Sequence, residues 1–535
     1  MHLTRVVIKN HRRLAQTDIE VRGHLILVGP NDVGKSSLLR CLDLLLGANT
    51  AQMYSRVTVD DFRDEAQPFT IEATVTDLDA DDQAAFPDEI TVDPVTNAVT
   101  LTLSFEATIE DSDGTILISR IAPNSGNQRQ LSRLQIEQLG WNLLGATAMS
   151  RELREDRRSA VQDILQQVDL GMEKTNFESL INQIRDALST SPILGGLRGS
   201  LSAQLSKALP VDVGKDELKF ETDAMADGDV LAGVRLRLER DGKVKDLTEQ
   251  SDGLRALYAI ALYDLVSTSA NMVAVDEPEI HLHPTSQRSL ARLLRDGRNQ
   301  KLLATHSPDI VSAFPADSIV SVRPGGIVVQ PEAGFLSDDE KLVVHWWVRD
   351  KLEPLTANGV IGFEGISDRI LIERIAELTD RNLDRLGISL VETRGSGNMP
   401  AIIKLFGQTG FQIPLSILID EDARKETADI LGVEPGAVEQ HGVFVSQPDL
   451  EGEYIAALGH NETWEVLEKS GLFSAHKLKS WPVTGPGGTR TAEDVRAFCL
   501  KNKVHAAMAI ERTLDRATAA AITSVCAVLD GIAKP

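Results

Sequence analysis

The stretch Gly29-Pro30-Asn31-Asp32-Val33-Gly34-Lys35-Ser36 decides the reading of this chain. An apolar run, Leu25 to Val28, precedes it, and apolar residues at helical spacing follow: Leu38, Leu39, Leu42 and Leu45. A Gly-x-x-x-x-Gly-Lys-Ser loop between a strand and a helix is a phosphate-binding loop. Gly29 and Gly34 let the backbone turn N–H groups onto phosphate oxygens, and the helix N-terminus adds a favourable dipole. In this pattern Lys35 reaches the β- and γ-phosphates and Ser36 holds Mg²⁺, with Asn31 and Ser37 completing the cradle. The expected ligand is ATP.

Composition sets the bounds around that loop. The chain has 535 residues, enough for two or more domains that each bury a core. Its 42% hydrophobic and 25% charged content is that of a globular protein. Aromatic residues make up only 4%, which argues against a base-stacking platform for single strands. A formal net charge of −24 rules out an extended nucleic-acid coat and confines DNA binding to local basic patches. Cys41, Cys499 and Cys526 are scattered without metal-ligand spacing and read as core thiols of a reducing compartment. The opening MHLTRVVIKNHRRL lacks a signal-peptide core, and no run has the length of a membrane span. A cytoplasmic protein with no membrane partner is expected.

Before the phosphate loop, Leu3, Val6, Ile8, Ile19 and Val21 alternate with polar residues around His11-Arg12-Arg13, predicting a β-hairpin. After it, Phe69 to Val75, Ala98 to Phe105 and Thr115 to Ile121 read as strands, and the Asp77–Asp82 cluster as a solvated loop. Val161, Ile164, Leu165 and Val168, then Leu180, Ile181, Ile184 and Leu188, recur at helical spacing and predict a helical insertion. The turn Ser251-Asp252-Gly253 opens a further helix and forms a second anion site. Since the phosphate loop already holds the nucleotide of its own chain, Ser251 and Gly253 suit the γ-phosphate of a sister subunit.

The strand Met272 to Val275 runs into Asp276-Glu277-Pro278-Glu279. That pattern puts Asp276 on Mg²⁺ and makes Glu277 the general base beside the attacking water. A second strand, Leu302 to Thr305, ends at His306, placed to contact the γ-phosphate. His281 and His283 lack a third zinc ligand and are not read as a metal site.

Together these motifs resemble an ABC-type ATPase of the RecF/SMC-like branch over roughly residues 1–330. The resemblance implies antiparallel strands and a parallel core sheet sandwiching helices. Two departures stand out: Ser251-Asp252-Gly253 lacks the two glycines of the transporter signature, and no Q-loop glutamine is evident.

A new α/β alternation begins after an acidic linker. The strand Val360 to Phe363 ends in Glu364-Gly365, with Asp368 one turn on. Leu415 to Ile419 ends in Asp420-Glu421-Asp422, and Val443 to Ser446 leads into Asp449 and Glu451. Three strands ending in carboxylates can build an all-oxygen site for one or two Mg²⁺ or Mn²⁺ ions that polarises a phosphodiester and activates water. In this order the acids resemble a Toprim domain.

An ABC-type ATPase followed by a Toprim domain resembles the overcoming-lysogenization-defect (OLD) family of nucleases from end to end. The resemblance implies an α/β protein: ATPase parts at 1–149 and 216–335, a dimerising helical insertion at 150–215, a linker at 336–355 and a Toprim nuclease at 356–535. It further implies an ATP-hydrolysing, metal-dependent DNA endonuclease, a homodimer or higher oligomer, serving phage defence or DNA maintenance. Glu364, Asp368, Asp420 and Asp422 are then metal ligands, followed by Glu451 and Asp449, with Lys503, or Lys501, stabilising the transition state. Two other readings stay open. One is a DNA-binding ATPase clamp without nuclease activity; the other is a topoisomerase-like enzyme, which needs a covalent adduct on one of the four tyrosines.

Overall fold

Four residues buried on both faces, Leu25–Val28, form strand β3, as expected of a continuous apolar run inside a parallel sheet. The computed structural model describes residues 1–110, 114–125, 128–145, 186–209, 212–222, 234–240, 243–246, 271–337, 352–393 and 398–532, with isolated positions between 183 and 260. Most of the helical insertion, the signature residues Ser251 and Asp252, and most of the linker lie outside the described residues. The chain divides into two compact units, Met1–Val328 and Val329–Pro535.

In the first unit β3 belongs to a sheet with β8 (Trp141–Leu144), β12 (Met272–Asp276), β13 (Gln300–Thr305), β14 (Ile319–Arg323) and β15 (Ile327–Val329). The order is β15-β14-β3-β13-β12-β8. Strands β14, β3, β13, β12 and β8 pair in parallel. Three adjacent carboxyl ends therefore carry the phosphate loop, His306 and Asp276-Glu277. A second, antiparallel sheet runs β2-β1-β4-β6-β5, with β7 on β6. It contains the expected hairpin of β1 (His2–Lys9) and β2 (Thr17–Glu20).

Strand β4 (Phe69–Thr76) buries alternate residues, Phe69, Ile71, Ala73 and Val75, as a sheet with one wet face requires. The strands β5 (Ile90–Val92), β6 (Val99–Ile109) and β7 (Ile116–Ile121) complete it. Helix Lys35–Leu46 packs against strands of both sheets, which is why Leu38, Leu39, Leu42 and Leu45 are buried together with Cys41 and Leu44. Each such leucine contributes roughly 1.5–3 kcal/mol by leaving water. A separate three-stranded meander joins β9 (Leu218–Thr222), β10 (Val234–Arg240) and β11 (Lys243–Asp246). The Asp77–Asp82 cluster departs from the expected solvated loop. Asp79 caps helix Ala80–Ala85 in a reciprocal box with Asp82, and Asp82 is buried.

The second unit is built on a four-stranded parallel sheet, β17-β16-β18-β19. Its strands are β16 (Gly359–Phe363), β17 (Ile388–Glu392), β18 (Leu415–Asp420) and β19 (Val443–Ser446). The chain goes from β16 out to β17 and returns to the far side of β16 for β18. The topological switch point therefore falls between β16 and β18, where open α/β sheets bind ligands at their carboxyl ends. Residues of β18 alternate: Leu418 joins the large core with Trp464, Phe498 and Ile510, whereas Ile417 and Ile419 join a smaller cluster with Val438 and Ala428. Phe498 is ringed edge-on by Trp464, Phe473 and Trp481 at 5.0–5.1 Å, which ties the C-terminal helices into one body.

Candidate active sites

The first site follows from the strand order of the first unit. Gly34, at φ 115, sits where a Cβ would come within 2.8 Å of Leu14, so the loop conformation requires glycine there. At Gly29 a Cβ would lie 2.1 Å from the Val322 carbonyl oxygen, so only glycine lets the loop pass β14. Lys35 is buried at the start of its helix. Its ammonium donates to the carbonyls of Gly29 (3.0 Å) and Pro30 (2.8 Å) and to Nε2 of His306 (2.9 Å). Burial pushes the Lys35 pKa down, opposed by Glu277, Asp276 and Glu279.

Ser36 Oγ donates to Asp276 Oδ1 at 3.0 Å, bringing together the two side chains expected to share a cation. Burial raises the Asp276 pKa. Glu277 has φ 49, a left-handed conformation seldom taken by a residue with a Cβ, while its N–H continues the ladder onto Ala304 O at 2.8 Å. That backbone aims its carboxylate at His306, with 3.6 Å between Glu277 Oε1 and His306 Nε2. Lys35, Ser36, Asp276, Glu277 and His306 thus meet at the carboxyl ends of adjacent strands. Asn31 is exposed and Ser37 half-buried beside them. Gly253 lies against the His281 carbonyl, where a Cβ would stand at 2.5 Å. His283 caps helix Pro284–Asp296.

The second site occupies the switch point of the other sheet. Glu364 follows β16, and Asp420 ends the neighbouring β18. Asp368 turns back to accept the N–H groups of Glu364 and Gly365, both at 3.0 Å, which fixes the strand-to-helix corner. Asp420 Oδ1 accepts the Leu450 N–H at 3.2 Å, and its Oδ2 lies 3.5 Å from Lys503 Nζ. A cavity of about 270 Å³ is lined by Glu364, Asp420, Asp422, Thr393 and Glu426.

Glu451 is buried, and among the described residues its Oε2 has no hydrogen-bond partner. Burial pushes its carboxyl up to about 7 and that of Asp420 up to about 6, with Lys503 opposing both. Lys503 itself feels Glu451, Asp420, Glu364 and Asp368, which together outweigh the effect of its burial and raise its pKa. One ammonium thus feels four carboxylates and contacts Asp420. An orphaned buried carboxylate oxygen and an all-oxygen donor set fit a hard divalent cation. Among the described residues no three Asp, Glu, His or Cys side chains stand close enough to form a ready metal cluster.

One expected ligand is already engaged by protein groups. Asp449 is buried with both oxygens engaged: Oδ1 takes the Gly452 N–H at 2.7 Å, and Oδ2 takes Arg496 Nε at 2.8 Å and Nη2 at 2.5 Å. It caps helix Leu450–Leu458, which in turn presents Leu450 N–H to Asp420 and carries Glu451. Lys501 lies over the Trp481 ring at 5.7 Å, whereas Lys503 reaches Asp420. Tyr454 is the sole tyrosine of the second unit's sequence and is buried, with its phenol pushed well above its ordinary pKa by burial. It is not placed as a nucleophile. Sequence reasoning missed Arg496, for a partner 47 residues away leaves no local signal. It also gave no role to Glu279, which accepts the His306 N–H.

Comparison with known proteins bears on the fold that carries these residues. Residues 25–312 match the family described as "AAA domain, putative AbiEii toxin, Type IV TA system". Residues 355–422 match "Overcoming lysogenization defect protein-like, TOPRIM domain". The chain belongs to this AAA family and carries an OLD-like TOPRIM domain. Its AAA match opens on the first residue of β3 and takes in the phosphate loop, Asp276 and His306. The TOPRIM match ends at Asp422, so Glu364, Asp368 and Asp420 fall inside it and Asp449, Glu451 and Lys503 beyond it.

The OLD nuclease of Thermus scotoductus is 25% identical over 511 residues, covering 85% of this chain and 92% of that protein. The endonuclease GajA of Bacillus cereus is 21% identical over 426 residues, covering 74% and 71%. Among solved structures, the C-terminal region of the Burkholderia pseudomallei OLD protein is 27% identical, with a TM-score of 0.28, covering 33% of this chain and 97% of that one. The two domains of the OLD-like chain use nucleotide and divalent metal. No helix among the described residues is long and apolar enough to cross a membrane.

Proposed function

We propose that this chain is an ATP-hydrolysing, Mg²⁺-dependent DNA endonuclease that works as a homodimer in defence against phage or in DNA maintenance. The observation that carries the reading is the approach of Lys503 Nζ to Asp420 Oδ2 at 3.5 Å, at the switch point whose neighbouring strand end leads into Glu364, within a chain whose OLD-like relatives are named nucleases. Glu364, Asp368, Asp420, Asp422 and Glu451 hold Mg²⁺, with Mn²⁺ as a substitute. A divalent cation bound there would supply Lewis-acid polarisation of the phosphodiester and make a bound water more acidic. Lys503 sits where negative charge builds on the phosphate oxygens, and a preorganised ammonium in a half-buried site stabilises that charge. Asp449 acts one step back by holding the helix that presents Glu451.

In the AAA unit, Lys35 leaves its carbonyl partners for the β- and γ-phosphates. Ser36 and Asp276 take Mg²⁺, Glu277 orients the attacking water and His306 senses the γ-phosphate. Gly29, Asn31, Gly34 and Ser37 shape the cradle. Ser251 and Gly253 complete the site of a second subunit, and the ATPase half gates cleavage.

The full chain with supercoiled plasmid tests this. Nicking or linearisation that needs Mg²⁺ and stops with a chelator supports the reading. A plasmid left intact at every metal and nucleotide condition overturns it and favours a DNA-binding clamp.

A further inference from the structure

The stretch from Leu472 to Ile510 reverses the charge of the chain. It holds six lysines and arginines (477, 479, 490, 496, 501 and 503) against two acids, Glu493 and Asp494, in a chain with 55 basic and 79 acidic residues. Charge alone decides nothing, because basic residues on a protein surface are commonly ion-paired. In the same unit Arg369, Arg374, Arg381, Arg424, Arg496 and Arg516 all have a carboxylate partner. Lys477, Lys479 and Lys501, like Arg385, Lys425 and Arg512 elsewhere in the unit, form no such pair among the described residues. Lys477, Lys479 and Lys501 are all exposed.

Packing also holds two of the three in place. Lys477 bonds the side chain of Asn502, and Lys501 lies over the Trp481 ring at 5.7 Å. Asn502 immediately precedes Lys503, whose Nζ points at Asp420. Lys477 thus reaches Asn502 beside Lys501 and Lys503, the residue that leads to the candidate nuclease centre, and Lys479 ends the same short helix as Lys477. Arg490 stiffens the connection by stacking 3.7 Å from the Trp464 ring and donating to the carbonyls of Leu478, Trp481 and Pro482.

We infer that Lys477, Lys479 and Lys501 form the docking strip for the phosphate backbone of double-stranded DNA, which they feed toward Lys503 and Asp420. The inference rests on the nuclease reading above and names the surface that reading lacks. A chain of net charge −24 repels a polyanion over most of its surface, so DNA must enter where uncompensated positive charge adjoins the reacting groups. Ammonium groups contact phosphates without reading bases, so binding on this strip carries little sequence preference.

The test is equilibrium binding of the full-length protein to a fluorescent DNA duplex in Ca²⁺. The wild type is compared with the triple variant Lys477→Gln, Lys479→Gln, Lys501→Gln and with the matching triple Lys→Arg variant. Each lost phosphate contact lowers the salt slope by about 0.9, so the Gln variant binds at least about tenfold more weakly, with a slope smaller by about two to three. The Arg variant keeps both affinity and slope, which excludes misfolding as the cause. A Gln variant that binds like wild type, with an unchanged slope, overturns the docking strip and leaves the nuclease reading standing if plasmid is still cut. Wild type that binds no duplex at any salt overturns both. Preference for an RNA duplex over DNA overturns the assignment of the occupant.

Discussion

Glu279 accepts the backbone N–H of His306 through Oε1, while its Oε2 is buried and, among the described residues, without a hydrogen-bond partner. The carboxylate that closes Asp276-Glu277-Pro278-Glu279 therefore anchors the end of the neighbouring strand, where His306 meets Lys35. Burial raises the Glu279 pKa, against the opposing pull of that N–H. Removing the side chain strands a buried donor at a cost of about 1–3 kcal/mol and frees His306 to drift. Glu279→Ala is expected to lower kcat for ATP hydrolysis about tenfold or more while leaving nucleotide affinity within a few-fold, and Glu279→Gln to recover most of it. An Ala variant with wild-type kcat contradicts the anchoring role.

Gly34 carries a separate expectation. A methyl group there meets Leu14 Cδ2 at 2.8 Å and the Arg13 carbonyl at 3.1 Å, on a backbone with φ +115. Gly34→Ala is expected to weaken binding of a fluorescent ATP analogue by about tenfold or more, because the loop must shift to relieve about 1–3 kcal/mol of strain.

Arg496→Ala removes the cation that holds buried Asp449. Loss of one partner of a buried pair costs about 3–5 kcal/mol, discounted here because the arginine is a quarter exposed. The expected result is a lower melting temperature and weaker plasmid cleavage, since helix Leu450–Leu458 no longer presents Glu451 and the Leu450 N–H correctly. Unchanged thermal stability contradicts this coupling.

His11 sets an acid limit on the AAA unit. It is buried against Phe69, with ring centroids 5.3 Å apart, and its Nδ1 accepts the Arg13 N–H at 3.2 Å. Burial lowers its pKa from 6.5 to about 4, so the folded protein keeps it neutral where the unfolded chain would protonate it. The stability it confers is complete above the unfolded value and is lost as the pH falls through the folded one. At about 1.36 kcal/mol per unit, acidification from about pH 6.5 to 5 should cost on the order of 2 kcal/mol. Denaturant unfolding at the two pH values measures this, and His11→Phe should flatten the dependence. An identical slope in that variant places the acid sensitivity elsewhere.

Both parallel sheets were legible in the sequence because each announces itself locally. Leu25–Val28, Met272–Val275 and Leu415–Ile419 are apolar runs that end in charged or glycine-rich turns, and a buried parallel strand needs that pattern. Lys35, Asp276 and His306 were readable for the same reason, since strand ends carry them. Lys503 was harder: it starts a helix 83 residues from Asp420, and only the packing of the C-terminal helices joins the two. Asp449 shows the opposite case. Its spacing from β19 suits a ligand, but capping and Arg496, both invisible in the local pattern, engage its oxygens. The Asp77–Asp82 acids looked solvated by composition, whereas the reciprocal cap of Asp79 and Asp82 buries one of them.

The measurement that bears most directly on the account compares wild type, Asp420→Ala and Lys35→Ala for Mg²⁺-dependent nicking of supercoiled plasmid and for ATP hydrolysis. Asp420 stands at the switch point of one sheet, and Lys35 in the phosphate loop of the other. The account predicts that Asp420→Ala abolishes nicking, by about a hundredfold or more, and keeps ATP hydrolysis, while Lys35→Ala abolishes hydrolysis. Nicking by Asp420→Ala at the wild-type rate would contradict it.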